Sequence, residues 1–304
     1  MYSGDTIFIK NKNEYLFKLK KNLAIISILL CCFGVNTKAH KVSTIEHFKD
    51  ISKKVKTLSQ QTGIKLYIES NKTRFLGYHS ADGRVNGESL VIKSFVKNDD
   101  IVIDGGANIG DWSKEVVSHA SCTIYAFEPA PDAFEILKEW AAPYKNIQCF
   151  NAALNDEEKE LEINWYPNSG GSTFFHRPIL NDVYHLSNKK ISVSSTSIDS
   201  FCKKERIEHI NFLKIDTEGA EALVIAGSKH LIKHHKIDFI QFEYGGTYRD
   251  AKITLKNIYN FLISNNYSIF RITTDGLIYI PHWSPHLENR VYSNYLAISN
   301  RLIV

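Results

Sequence analysis

From Asp99 onward the chain alternates short runs rich in β-branched and aromatic residues with stretches in which apolar positions recur every three or four residues. That alternation is the signature of strand–helix–strand units laid around a mainly parallel sheet. It predicts strands over 101–104, 123–127, 147–151, 161–165, 211–215 and 237–242. Helices are predicted over 111–119, 132–140, 219–233 and 253–265, the second of them with Pro131 near its start. Strands near 268–272, 277–280 and 295–299 are joined by short links, so the C-terminal edge of the sheet should be antiparallel. Residues 168–173 carry Gly170 and Gly171 among polar neighbours; such a stretch forms no regular element, and it is a candidate lid over the sheet.

The chain before residue 99 reads differently. Residues 1–40 form a leader, with an apolar run over 23–35 behind Lys18, Lys20 and Lys21, and Thr37 and Ala39 in a small-x-small arrangement. The run is shorter than the roughly 20 residues a membrane-crossing helix needs, so it reads as a signal peptide, a short membrane anchor or a buried amphipathic helix. Lysines flank it on both sides and leave the orientation open. Residues 41–98 are a lysine-rich lead-in with one helix and a short strand over 65–69, and 99–304 form a single α/β domain.

Composition narrows the function classes. With 43% hydrophobic and 23% charged residues the 304-residue chain can bury a substantial core. Its net charge of +4 comes from 37 basic and 33 acidic residues without a basic, aromatic-interleaved track, so no nucleic-acid partner is indicated. Five cysteines form neither a disulfide framework nor zinc-ligand spacing.

Ligands of an open parallel sheet sit beyond the carboxyl ends of its strands. After the first predicted strand, Gly105, Gly106 and Gly110 permit a tight turn and a close approach of backbone to ligand, with Asn108 between them. The same turn can be read as a dinucleotide loop. Asp104, however, stands at the strand tip, where a carboxylate would repel a pyrophosphate and suit the cationic, phosphate-free S-adenosylmethionine. Glu128 ends the second strand, placed to accept the ribose hydroxyls of either nucleoside ligand. Asn151 and Ala152 end the third, where an adenine ring would lie, although turn capping explains Asn151 equally well.

Four segments together resemble the FkbM family of methyltransferases: Val102 to Gly110, Ala126-Phe127-Glu128-Pro129, Asn151-Ala152-Ala153-Leu154, and Leu213-Lys214-Ile215-Asp216-Thr217-Glu218-Gly219-Ala220-Glu221. The last is the most specific, and the set covers roughly residues 85–245. The resemblance implies an α/β, Rossmann-like class I methyltransferase fold, with helices on both faces of the sheet. It also implies O-methylation of a sugar, a glycan or a small natural-product alcohol.

A hydroxyl needs a base or a metal to become a nucleophile. Asp216 and Glu218 follow one strand and Glu243 its neighbour, which brings three carboxylates to one sheet edge. Asp216 is the first choice of base, while Glu218 has an alternative role capping the next helix. The same carboxylates could hold a divalent cation, which the spacing of the histidines does not favour. His176, in the candidate lid, is a weaker base candidate, and Tyr244 and Trp283 are candidates to stack on a sugar ring. Competing readings are a nicotinamide-dependent oxidoreductase and a catalytically silent nucleoside-binding protein. The methyl donor is made in the cytosol, so the domain is expected to face it, with membrane association through residues 23–35 as an option.

Overall fold

The computed structural model describes residues 53, 56–60, 62–68, 77, 86–167, 172–173, 175, 177, 182 and 188–303. The leader and its apolar run lie outside them. Among the described residues no helix is long and apolar enough to cross a membrane.

The lead-in supplies strand β1 (Lys65–Ile68) and helix α1 (Glu88–Phe95). Next come β2 (Ile101–Gly105), α2 (Asp111–His119), β3 (Thr123–Phe127), α3 (Pro131–Ala141) and β4 (Ile147–Phe150). The chain then forms β5 (Ala153–Leu154), β6 (Lys159–Trp165), β7 (Lys189–Thr196) and α4 (Ile198–Glu205). The second half runs through β8 (Ile210–Ile215), α5 (Glu221–Ala226), α6 (Lys229–Lys233), β9 (Ile237–Tyr244), α7 (Thr247–Asp250) and α8 (Leu255–Ser264). It closes with β10 (Tyr267–Thr273), β11 (Gly276–Tyr279) and β12 (Ser293–Ser299).

The main sheet runs β1-β11-β10-β12-β9-β8-β2-β3-β4. From β4 to β9 all pairings are parallel, and β12 and β10 are antiparallel to their neighbours. The parallel core and antiparallel edge are therefore as the pattern predicts. Its central strands are buried on both faces, which is why β8 and β9 read as near-continuous apolar runs. One face packs Leu213, Ile215, Val224, Ile240 and Phe242 into a core shared with Ile258 and Leu262 of α8. The chain winds outward in opposite directions from β2 and β8, so the crevice of the fold opens at the carboxyl ends of these two neighbours. A small second sheet, β5-β7-β6, stands beside that crevice.

Beyond the short β5 and α7, which the pattern does not mark, three longer elements depart from it. β7 and α4 were not predicted; β7 buries only Val193 and Ser195 along a polar strand, and α4 starts at Ser197, whose hydroxyl accepts the Ser200 N–H at 3.1 Å. The helix expected over 219–233 begins only at Glu221, because Glu218 and Gly219 take positive φ of 53° and 108°. It is also broken at Gly227, where a Cβ would meet the Asn155 carbonyl oxygen at 2.1 Å.

Candidate active site

The glycine turn after β2 forms the floor of the site. Gly106 has φ 74°, and a Cβ there would sit 1.8 Å from the Asp216 carbonyl oxygen, so the tips of β2 and β8 approach as closely as they do only because this residue has no side chain. Gly110 adopts φ 86° as the cap of α2 and packs on Leu137 and Trp140. A cavity of about 470 Å³ opens over the turn, lined by Gly106, Asn108, Glu128, Leu154, Asp216 and Glu218 among others.

Glu128 is buried and its two carboxylate oxygens accept the N–H groups of Asn108, at 2.8 Å, and Ala130, at 2.7 Å. Each oxygen keeps a lone pair for a hydroxyl in the cavity. Burial pushes its pKa up to about 7, against the pull of the two backbone donors. Donor affinity should therefore climb as pH rises through about 7, since the ionised form is the better hydroxyl acceptor. Titration calorimetry with S-adenosylhomocysteine is expected to show up to ~10-fold tighter binding at pH 8 than at pH 6, flattened in Glu128→Gln. A wild-type affinity that stays level over that range would remove Glu128 from the ribose site.

Asp104 is placed otherwise than its strand-tip position suggested. It is fully buried and does not line the cavity. Its Oδ2 accepts the Ser113 hydroxyl at 2.7 Å, and its Oδ1 lies 3.2 Å from the Lys214 ammonium. The physical reason is register: Asp104 on β2 is the direct partner of Lys214 on β8, so the two side chains share one sheet face. Lys214 continues to Asp216 at 3.5 Å and donates to the Gly106 carbonyl at 3.3 Å. Burial would lower its pKa, but the Asp104, Asp216 and Glu88 carboxylates outweigh this and raise it. Asp104 thus faces Lys214 and Ser113 and not the cavity.

Asn151 and Ala152 also stay off the cavity wall. The Asn151 amide donates to the carbonyls of Glu128, at 2.9 Å, and Pro129, at 3.2 Å, which fixes the loop behind Glu128. Ala153 and Leu154, one step further on, line the cavity instead.

Asp216, Glu218 and Glu243 do converge, with one carboxylate oxygen of each within 4.8 Å of the others. Asp216 and Glu218 line the cavity, and Glu243 lies buried behind them near the end of β9. Glu218 does not cap α5; Glu221 takes that role, its Oε1 accepting the N–H groups of Thr217, at 2.9 Å, and Gly219, at 3.2 Å. The Glu218 side chain pairs with Arg177 at 2.7 Å, and its carbonyl accepts the Thr173 hydroxyl at 2.7 Å, so part of the candidate lid is tied to this turn. Burial, then Asp216, raises the pKa of Glu218 to about 7. Burial, followed by the charges of Asp216 and Glu218, holds Glu243 well above the usual carboxylate range.

Several residues of this site carry no sequence motif. Glu88 comes from the lead-in and accepts the Gln241 amide at 2.6 Å. Arg177, Tyr292 and Asn294 likewise lie outside the four segments, whereas Lys214 stands within the last of them as a single lysine inside the apolar run of β8. His176 lies outside the described residues. Tyr244 cannot stack on a sugar, because its ring is buried against Tyr248 and Tyr295. Trp283 packs against the core with the Lys256 ammonium 4.7 Å over its ring.

A family model described as the methyltransferase FkbM domain matches residues 104–269. Among curated relatives, 2-O-methyltransferase NoeI of Sinorhizobium fredii is 26% identical over 166 residues, covering 51% of this chain and 67% of its own length. The 31-O-demethyl-FK506 methyltransferase FkbM of Streptomyces tacrolimicus is 28% identical over 156 residues, 42% of this chain and 59% of its own length. Hexuronic acid methyltransferase AglP of Haloferax volcanii is 25% identical over 174 residues, 55% of this chain and 67% of its own length. The chain thus spans between 59% and 67% of these relatives.

Proposed function

The chain belongs to the FkbM-domain methyltransferases, and from that premise we propose that it moves the methyl group of S-adenosylmethionine to a hydroxyl of a sugar, a glycan or a small natural-product alcohol. The observation that carries this reading is that Glu128 and Asp216 line one cavity. Glu128 offers lone pairs to a ribose, and Pro129, Ala133, Ile136 and Leu154 give that end an apolar wall suited to a purine. The carboxylates at the other end suit a cationic ligand.

S-adenosylmethionine, when bound, supplies an electrophilic methyl on a positively charged sulfur. The chain's part is to seat the acceptor hydroxyl and take its proton. Asp216 is the base in this reading: as the new oxygen–carbon bond forms, the hydroxyl proton passes to its carboxylate. Glu218 and Glu243 surround it, and Lys214 steadies its charge from below. A divalent cation could sit among the three carboxylates, but Lys214 and Arg177 already face two of them. We place the reaction on the cytosolic side, where the donor is made, with association to a membrane through residues 23–35 as an option.

The test is transfer of label from methyl-labelled donor to a panel of glycosides, glycans and polyols by the purified full-length protein. Labelled methyl ether on at least one acceptor is expected. Tight NAD binding with none of S-adenosylhomocysteine would point to the oxidoreductase alternative, and donor binding without turnover on any hydroxyl to the silent one.

A further inference from the structure

Register decides which carboxylates meet at the end of the sheet. Ile215 of β8 is the direct partner of Phe242 of β9, so Asp216 and Glu243, one step further along each chain, stand side by side. Across the other ladder Glu243 faces Asn294 of β12, while Gln241, two residues back on the same face, binds Glu88 of α1. The Asp216 side chain is 36% exposed and lines the cavity, whereas Glu243 is 8% exposed and lies behind it. One carboxylate oxygen of each, with one of Glu218, falls within 4.8 Å of the others, and the Glu243 side chain is hydrogen-bonded to that of Asp216.

Two of these three carboxylates have a counter-charge. Lys214 lies 3.5 Å from Asp216, and Arg177 lies 2.7 Å from Glu218. Glu243 has none among the described residues. Around it stand the carboxylates of Asp216, Glu218 and Glu221, the phenols of Tyr248 and Tyr292, and the neutral amide of Asn294. Asp216 is further flanked by the carboxylates of Glu88 and Glu221. Carboxylates this close in a site of low dielectric cannot all be ionised, and the deepest one without a cation is the one that keeps its proton. Two carboxyl groups share a hydrogen bond only when one of them is protonated, since the ionised form has no donor. The proton therefore belongs on Glu243 and the charge on Asp216.

We propose that Glu243 is a positioning residue, a neutral carboxylic acid whose O–H donates to Asp216 and holds that base ionised and oriented toward the cavity. The proposal rests on the reading of Asp216 as the base and adds what prepares it. As the acceptor oxygen takes the methyl group from sulfur, its proton passes to Asp216, which lies open to the cavity and releases it to solvent. Glu243 keeps its own proton throughout. A hydrogen-bond donor favours the charged form of its acceptor, so the Glu243 O–H widens the pH range over which the base is ready.

Infrared difference spectroscopy on the full-length protein with S-adenosylhomocysteine reads the proton without any turnover. At roughly pH 8.5, above the value of about 7 that Glu128, Glu218 and Glu221 reach, a protonated-carboxyl stretching band should be present in wild type and lost in Glu243→Gln. Rate profiles follow, on whichever acceptor takes up label in the panel above, with both substrates saturating. Glu243→Gln can still donate from its amide, so its kcat should stay within about threefold of wild type with the acid limb in place. Glu243→Met cannot donate; its kcat should fall ~10-fold or more and its acid limb should move to higher pH by about one unit, with KM within about twofold. A melting curve on each variant shows which are folded, and the isosteric glutamine variant carries the test alone if the methionine variant is not. No band lost in Glu243→Gln, or an acid limb in that variant moved to lower pH, would mean a charged Glu243 and overturn the proposal. A loss of about 10²-fold or more in Glu243→Gln would make Glu243 itself the base, and equal losses in both folded variants with the limb unmoved would make it structural; either overturns it as well. A Glu243-dependent band in a protein that methylates no hydroxyl would place the failure in the acceptor reading and leave the protonated pair standing.

Discussion

Asp216→Asn should cut turnover by about 10²- to 10⁴-fold, the range a positioned base contributes, while S-adenosylhomocysteine binds nearly as to wild type. The amide fills the same volume and can still accept a hydrogen bond from Lys214, which lies 3.5 Å from the native carboxylate. What it loses is the ability to take a proton. The substitution also removes the second-ranked cause, after burial, of the raised pKa values of Glu218 and Glu243. Both should then ionise at lower pH, so the residual activity of the variant should have a pH profile shifted to the acid side of wild type. Single-turnover kinetics beside calorimetry separates the two effects. A parallel loss of donor affinity and rate would mean that Asp216 holds the turn together, its backbone N–H already being bonded to the Gly105 carbonyl at 2.9 Å. A rate close to wild type would pass the role of base to Glu218 or Glu243.

The strands that carry this site were legible because each is a short apolar run ending in a polar tip, and a parallel sheet gathers such tips at one edge. Glu128, Asp216 and Glu218 could be found that way, as could the need for glycine at Gly106. The orientation of Asp104 could not. Whether a strand-tip carboxylate faces ligand or protein depends on what stands across the ladder, and its partner Lys214 is distant in sequence and brought alongside only by the β2–β8 register. The same holds for Gln241, Glu243 and Asn294, a cluster made by pairing β9 with β12. Glu88 was hidden for another reason: it opens a short helix in a polar lead-in, where a glutamate is the ordinary first-turn residue. The end of the helix expected at 219 was obscured by Glu221, which pins the turn from inside the helix.

Lys214→Met should be the most damaging single change to stability, by about 3–5 kcal/mol, because it strips a fully buried Asp104 of its counter-charge. Ser113 would remain the one hydrogen-bond donor to that carboxylate among the described residues, which is too little to hold an ionised group away from water. Urea unfolding should register the loss, and the melting temperature should fall by roughly 10 °C. Methionine keeps the length and apolar stem of lysine, so a packing defect does not account for a loss of that size. The double variant Asp104→Asn/Lys214→Met removes both charges and should recover most of the stability, since a neutral amide can keep the Ser113 hydroxyl as its partner. Recovery of stability without recovery of turnover is the expected combination, as Asp216 would still lack the cation beneath it. If Lys214→Met unfolds at the wild-type urea concentration, the row from Ser113 through Asp104 to Lys214 is not what holds β2 and β8 in register at the crevice, and the support proposed for the base beneath Asp216 fails with it.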